Sequence, residues 1–402
     1  MVAYQDFVAL CRSGDSEERG QAAHLAARAY LGHTGPADEH AALYAALIGF
    51  LDDSSVKVRA ALAYGLLHAV EAPRPVLLAL LQDSAVISRA VAQYSPALID
   101  ADLIGLVRAA DLAMLMAVAM RERIGARVAE ALVARGERAV TLKLLRRSDV
   151  PVPAELLSAL AADLGVADAE VRRALLARRD LPATARLELV EAAAAALKDA
   201  RIVKGAMAPV RLTRVMRDAM DTALTTIGER EAGAGRAHYL RDLVGRERIS
   251  TRVMLHAIVN GHVLFFAGCV AELCETPREK AFTLLETGSR PALNAMLARC
   301  GFKASLRNLL ARLIFHARAA DLADDVAARH FVVTALTEEL IIEHGGAIPP
   351  ELEEAFTYLS EQNVTLARRA ARGVMSAFAG DTQSERTMPV LLDDEPLALP
   401  AA

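Results

Sequence analysis

Arginine is the residue of this sequence whose clustering could do chemistry. Arg172, Arg173, Arg178 and Arg179 crowd one short segment, and Arg211, Arg214 and Arg217 recur at every third position. Side chains at that spacing drift slowly around one side of a helix. A guanidinium presents its donors in a planar fork, which suits a carboxylate or phosphate better than a lysine ammonium does. These seven side chains are the candidate partner-binding residues. A protein partner with an acidic segment is the ligand they fit. Internal pairing is the competing use, since Asp218 and Asp221 stand close by in sequence. Further arginines follow at Arg236, Arg241, Arg246, Arg248 and Arg252, then at Arg368, Arg369 and Arg372.

Other chemistries find less support. Metal ligands on one helical face sit about three or four residues apart, as in HExxH, and His256 and His262 do not. Cys269 and Cys274 lie in apolar surroundings, where a thiolate is disfavoured. The chain holds no Gly-x-Ser-x-Gly, no P-loop and no Gly-x-Gly-x-x-Gly; Gly233-Ala234-Gly235 has no strand before it. No catalytic residue, metal ligand or cofactor is therefore expected.

The elements that position the arginines are helices. Apolar residues make up 54% of the 402, yet aromatics are only 4% and Trp is absent. What remains is chiefly Ala, Leu and Val, and Ala and Leu are the strongest helix formers. No long alternation of period two calls for a strand. Lys+Arg 46 against Asp+Glu 50 gives a net charge of −4, with no global pull toward nucleic acid or anionic lipid. Four cysteines without regular spacing do not form a disulfide framework. The first residues lack the basic-then-apolar pattern of a signal peptide. A cytoplasmic protein with reduced thiols is expected.

Residues 17–34 read as a helix, with Ser16 as N-cap and Glu17 and Glu18 in the first turn. Residues 38–51 make a second. Then comes Leu51-Asp52-Asp53-Ser54-Ser55-Val56-Lys57-Val58-Arg59-Ala60-Ala61-Leu62-Ala63, which resembles the second helix of a HEAT-type repeat. That resemblance implies an Asp-rich cap, an inward Val and an Arg reaching an Asp of the next repeat. The theme returns at Leu81-Gln82-Asp83-Ser84-Ala85-Val86-Ile87-Ser88-Arg89 and, more loosely, at Asp168-Ala169-Glu170-Val171-Arg172. Helix pairs repeating at about 30 to 45 residues mark an α-solenoid. The expected fold is all-α, a HEAT-like solenoid of helical hairpins. Residues 1–200 form its N-terminal repeats, 201–237 a connecting helix and glycine-rich hinge (228–235), 238–378 a second helical-repeat half, and 379–402 a disordered acidic, Pro-rich tail.

Three segments together carry a wider likeness: the stretch 51–63, Ser95-Pro96-Ala97-Leu98-Ile99-Asp100-Ala101-Asp102-Leu103-Ile104, and Arg248-Ile249-Ser250-Thr251 followed by Leu255-His256-Ala257, Gly261-His262 and Phe265-Phe266. The chain resembles, over roughly 20–320, the bacterial (mainly alphaproteobacterial) proteins grouped as domain of unknown function 2336. The resemblance implies an all-helical, HEAT-like protein and supplies no catalytic residues. An acidic residue follows the Gly in that pattern, whereas His262 stands here.

Residues 253–271 carry no charge and are long enough to cross a bilayer. His256, Asn260, Gly261 and His262 within them would each be costly in lipid. Residues 103–134 can also be laid on 253–284 with apolar positions largely coinciding. A buried core hairpin, broken near Asn260-Gly261, is expected rather than a membrane span. The function expected is a non-enzymatic scaffold or regulatory adaptor that presents a helical-repeat surface to a protein partner. The alternative is a nucleic-acid-binding array of the helical-repeat DNA glycosylase type, disfavoured by the negative charge and the scarcity of aromatics for stacking. The apolar patches Met388-Pro389-Val390-Leu391-Leu392 and Leu397-Ala398-Leu399 would suit a docking motif.

Overall fold

The computed structural model describes residues 4–384. Among them every regular element is helical and no strand occurs. Two compact units divide the chain, Met1–Ala193 and Ala194–Ala402.

Unit 1 begins with α1 (Tyr4–Arg12), α2 (Ser16–Leu31), α3 (Ala37–Leu51) and α4 (Val56–Leu66). The Asp15 carboxylate accepts from the Glu17 amide and caps α2. Ala22, Ala23, Ala26 and Ala27 are buried on α2, as are Val58, Leu62 and Leu66 on α4. Small side chains let these two helices touch: a Cβ on Gly65 would sit 2.6 Å from that of Ala27. Short helices follow: α5 (Arg74–Leu80), α6 (Ala85–Tyr94), α7 (Asp100–Ala109), α8 (Leu112–Ala119), α9 (Ala126–Val133), α10 (Arg138–Leu145) and α11 (Ala154–Leu160). A π-helical turn over Ala161–Gly165 leads to α12 (Ala169–Ala177), and α13 (Ala183–Asp199) carries the chain out of the unit.

Arginine ties these elements together in two recurring ways. Arg19 meets Asp53 at 2.7 Å, Arg59 meets Asp83 at 2.6 Å, Arg74 meets Asp102 at 2.5 Å and Arg138 meets Asp168 at 2.5 Å. The Arg138 hydrogen bond, helped by the Glu170 amide, holds the Asp168 carboxyl down to about 2. The second device runs from guanidinium to backbone. Arg121 donates to the carbonyls of Ala92 and Ser95, Arg147 to those of Ala119 and Arg121, and Arg178 to those of Arg147 and Val150. Each carbonyl lies at or beyond a helix end, where backbone acceptors lack intrahelical donors.

Unit 2 begins within the last turns of α13 and continues with α14 (Arg201–Ala206), then α15 (Pro209–Gly233), α16 (His238–Gly245), α17 (Thr251–Val259), α18 (Val263–Leu273), α19 (Arg278–Thr287) and α20 (Arg290–Arg299). It ends with α21 (Ala304–Ala319), α22 (Val326–Glu343) and α23 (Glu353–Ser384). Two stretches differ from the sequence-based reading. The glycine-rich stretch 228–235 is mostly helix, because α15 runs on through Gly233. Gly228 is there for space: a Cβ on it would lie 2.1 Å from the Phe265 ring. The expected tail also begins too early, since α23 continues through Ser384; residues 385–402, with both apolar patches, lie outside the described residues.

The uncharged run 253–271 is the hairpin α17–α18. Gly261 turns the chain at φ +74, a region that favours glycine. The His262 amide bonds the Ala257 carbonyl and the Gly261 amide that of Ile258, the pairing of a Schellman stop. Every residue of α17 after Thr251 is buried, as are Phe265 to Ala271 of α18. Among the described residues no helix is long and apolar enough to cross a membrane.

The helix starts of the two units echo each other. Asp100, Leu112, Ala126 and Arg138 open α7 to α10, and Thr251, Val263, Arg278 and Arg290 open α17 to α20 at matching intervals, within one residue. Asp111 caps α8 by accepting from the Met114 amide. His262, in the equivalent place, makes no side-chain cap for α18. Glu229 of α15 does so instead, accepting from the Leu264 and Phe265 amides at 3.2 and 2.7 Å. The cap that His262 does not make is thus supplied by a carboxylate from another helix.

Candidate functional site

The densest polar constellation lies inside unit 2. Arg252, first-turn residue of α17, is 5% exposed, so its charge must be met within the protein. Its guanidinium reaches Asp221 at 2.6 Å, Glu361 of α23 at 3.0 Å and Asp218. It also lies 5.0 Å over the Tyr358 ring, within cation–π range. Burial pushes the Asp218 and Asp221 carboxyls up despite that cation, and neighbouring carboxylates add to the rise.

His256, one helical turn further along α17, continues the network. Its Nδ1 is 3.2 Å from the Tyr358 hydroxyl and its Nε2 3.1 Å from Thr222 Oγ1. The Thr222 hydroxyl donates to the Asp218 carbonyl, so it accepts from His256 Nε2–H. Tyr358 in turn donates to Nδ1. The imidazole is therefore a neutral, fully satisfied Nε2–H tautomer. Burial, then the positive charges around it, pulls its pKa down to about 3.

A pH dependence follows. The native pKa of about 3 lies below the ordinary 6.5, so the unfolded chain binds the extra proton between these values. Stability from His256 is present above 6.5 and is lost as pH falls toward 3. Asp218 and Asp221, with raised native values, act in the opposite sense. Substituting His256→Gln should therefore flatten the acid side of the stability–pH curve, by at most about 1.4 kcal/mol per pH unit. Urea titrations at several pH values measure it; equal slopes in both proteins would refute the assignment.

An open cleft of about 620 Å³ lies beside this network, with Arg217, Ser250, Glu353 and Glu354 on its walls. Among the described residues, no group of three or more His, Cys, Asp or Glu side chains is arranged to hold a metal ion.

The seven sequence-selected arginines fall in both units. Arg172 is buried and donates to the Gly165 and Val166 carbonyls at 3.0 and 2.9 Å. Arg178 is buried, bonding Asp180 besides its two carbonyls. Their neighbours Arg173 and Arg179 are exposed. In unit 2, Arg211 and Arg217 are exposed on α15 and Arg214 is half-buried, its charge acting on Asp218. Asp218 and Asp221 do take an arginine, but it is Arg252 from another helix. Tyr358 and Glu361 lie far along the chain and carried no local signal. A lone cation at the edge of an uncharged run was the one clue to Arg252.

Unit 1 carries a groove of about 780 Å³, bounded by α5 to α8. Leu78, Leu81, Leu106 and Met114 supply the apolar part of a mixed lining, which also holds Gln82 and Ser88. Its carboxylates are engaged: Asp83 with Arg59, Asp102 with Arg74, and Asp111 as the cap of α8. Arg89 lies on the same wall, its Nε donating to the Ala85 carbonyl. Gly105 faces open space: a Cβ added there would meet no neighbouring atom within 4 Å.

A family model described as an uncharacterised protein conserved in bacteria, domain of unknown function 2336, matches residues 87–340. No curated protein matches the chain, nor does any solved structure. The matched span runs from within α6 to within α22, and so includes α7 to α10, α17 to α20, Arg252 and His256. With well over half of its length matched, the chain belongs to the domain of unknown function 2336 family.

Proposed function

We propose that this protein is a non-enzymatic scaffold or regulatory adaptor, cytoplasmic, whose N-terminal unit is a HEAT-like array presenting a groove to a protein partner. The observation that carries the reading is the groove bounded by α5 to α8. Its lining is mixed, with Leu78, Leu81, Leu106 and Met114 for apolar contact, and its carboxylates are already engaged by arginines or as a helix cap. A surface of this kind takes up a peptide or helix without first breaking its own ion pairs, which keeps the cost of association low. The Arg–Asp and Arg–carbonyl ties between successive helices support the array and hold the groove in shape. Arg89 on the wall, with the exposed Arg173 and Arg179 of the same unit, favours a partner segment bearing carboxylates.

Gly105 supplies the test. Gly105→Trp fills the groove from an exposed helical position where a Cβ meets nothing, so the fold should be unaffected. Partners captured from a native host lysate by the full chain should be retained at least about tenfold more weakly by this variant, a change of about 1.4 kcal/mol. Arg173→Glu with Arg179→Glu should weaken the same partners. If both variants retain the wild-type set at wild-type levels, the groove is not the binding surface.

A further inference from the structure

Cys274 and Cys300 face each other in unit 2. Their sulfur atoms lie 2.6 Å apart, in hydrogen-bond contact. A disulfide requires about 2.05 Å, so a shift of about half an ångström separates dithiol from bond. Each cysteine is the C-cap of its helix, Cys274 of α18 and Cys300 of α20. The Arg299 guanidinium donates to the Cys274 carbonyl at 2.6 Å and clamps one helix end to the other. Cys274 is 3% exposed, whereas Cys300 is half-buried. Cys269, earlier on α18, is fully enclosed, and burial raises its thiol far up. Two sulfurs are thus in register, and Cys300 is the less buried of the two residues.

We infer that Cys274 and Cys300 are a site of reversible oxidation, at which a small external disulfide converts the dithiol into a bridge between the ends of α18 and α20. The Cys300 thiolate attacks one sulfur of the external disulfide, forming a mixed disulfide and expelling one thiolate. Cys274, having lost its proton, then attacks Cys300 Sγ and expels the second. The protein loses two electrons and two protons, and the external disulfide is reduced to two thiols. Burial followed by the hydrogen bond with Cys274 raises the Cys300 thiol, while the Arg299 charge pulls the other way. The first attack is therefore slow at neutral pH and the second, between atoms already in contact, is fast. A mixed adduct should not accumulate. The bridge would enclose α19 and α20 in a covalent loop, a modification independent of the proposed partner groove.

The full chain, folded and reduced, is incubated with oxidised glutathione, quenched with acid, unfolded and alkylated, then digested without reductant and examined by mass spectrometry. The expected product is a cross-linked peptide pair joining Cys274 to Cys300, with Cys11 and Cys269 alkylated and full reversal by dithiothreitol. Cys274→Ser should leave glutathione stranded on Cys300, and Cys300→Ser should leave Cys274 reduced. The wild-type result decides the matter even if a variant misfolds. A persistent glutathione adduct on wild-type Cys300, a bridge to Cys11 or Cys269, or four alkylated thiols would each overturn the inference.

Discussion

Replacing Arg252 with Ala should cost unit 2 about 3–5 kcal/mol, the penalty for leaving buried charge without its partner. Against the roughly 5–15 kcal/mol that hold a domain together, that is a large fraction of the unit's stability. Three carboxylates converge on this one guanidinium. Removing it leaves Asp218, Asp221 and Glu361 repelling one another in a half-dry site. The pH response tests the mechanism. Asp218 and Asp221 already have native pKa values above 3.8, and they rise further once the cation is gone. A raised native value favours folding at low pH and loses that benefit as pH climbs through it. The deficit of Arg252→Ala should therefore grow from about pH 4 toward neutrality. Arg252→Lys should fall between the two proteins, because a point charge cannot fork to three acceptors. Chemical denaturation followed by circular dichroism provides the measurement. A variant within about 0.5 kcal/mol of wild type at pH 7 would mean that the cluster is solvated.

Phe265→Asp should be more damaging still and abolish the fold of unit 2 alone. The ring is fully buried and lies against Gly228, whose missing side chain makes room for it. Truncating a buried Phe costs about 3–5 kcal/mol, and a carboxyl group without a partner there adds its own desolvation penalty. Phe265→Leu keeps the site apolar and should cost far less. Limited proteolysis can separate the units: fragments from residues after 194 should appear rapidly with Phe265→Asp while the N-terminal unit resists. A soluble, fully helical Phe265→Asp protein with an unchanged unfolding midpoint would place the core elsewhere.

Much of the architecture was legible along the chain. Ala- and Leu-rich periodicity indicates helices, and Asp168 marks a helix start, whereas the helix after Asp53 is entered at Ser55. Asn260-Gly261 marks the break in the uncharged run, because a Schellman stop is chemistry within a few residues. Family membership was legible too, since it rests on sequence. The glycine-rich stretch 228–235 misled. Glycine signals a flexible linker by composition, yet Gly228 is helical because a ring from another helix occupies its Cβ position. The tail misled at its start for a related reason, as Gly380 does not stop α23.

The arginines divide the two kinds of information most sharply. Their residue type and spacing, read locally, mark them as anion-seeking and place Asp partners nearby. Which guanidinium turns inward depends on where a neighbouring helix ends. Arg172 and Arg178 meet carbonyls that helix geometry left unsatisfied, while Arg173 and Arg179, adjacent to them, meet solvent. Arg252, His256, Tyr358 and Glu361 converge only because α15, α17 and α23 pack together. The sequence by itself determined the helices, the break at Gly261 and the family. The tertiary structure alone decided which charges are spent on folding, because desolvation and pairing are set by neighbours remote in the chain.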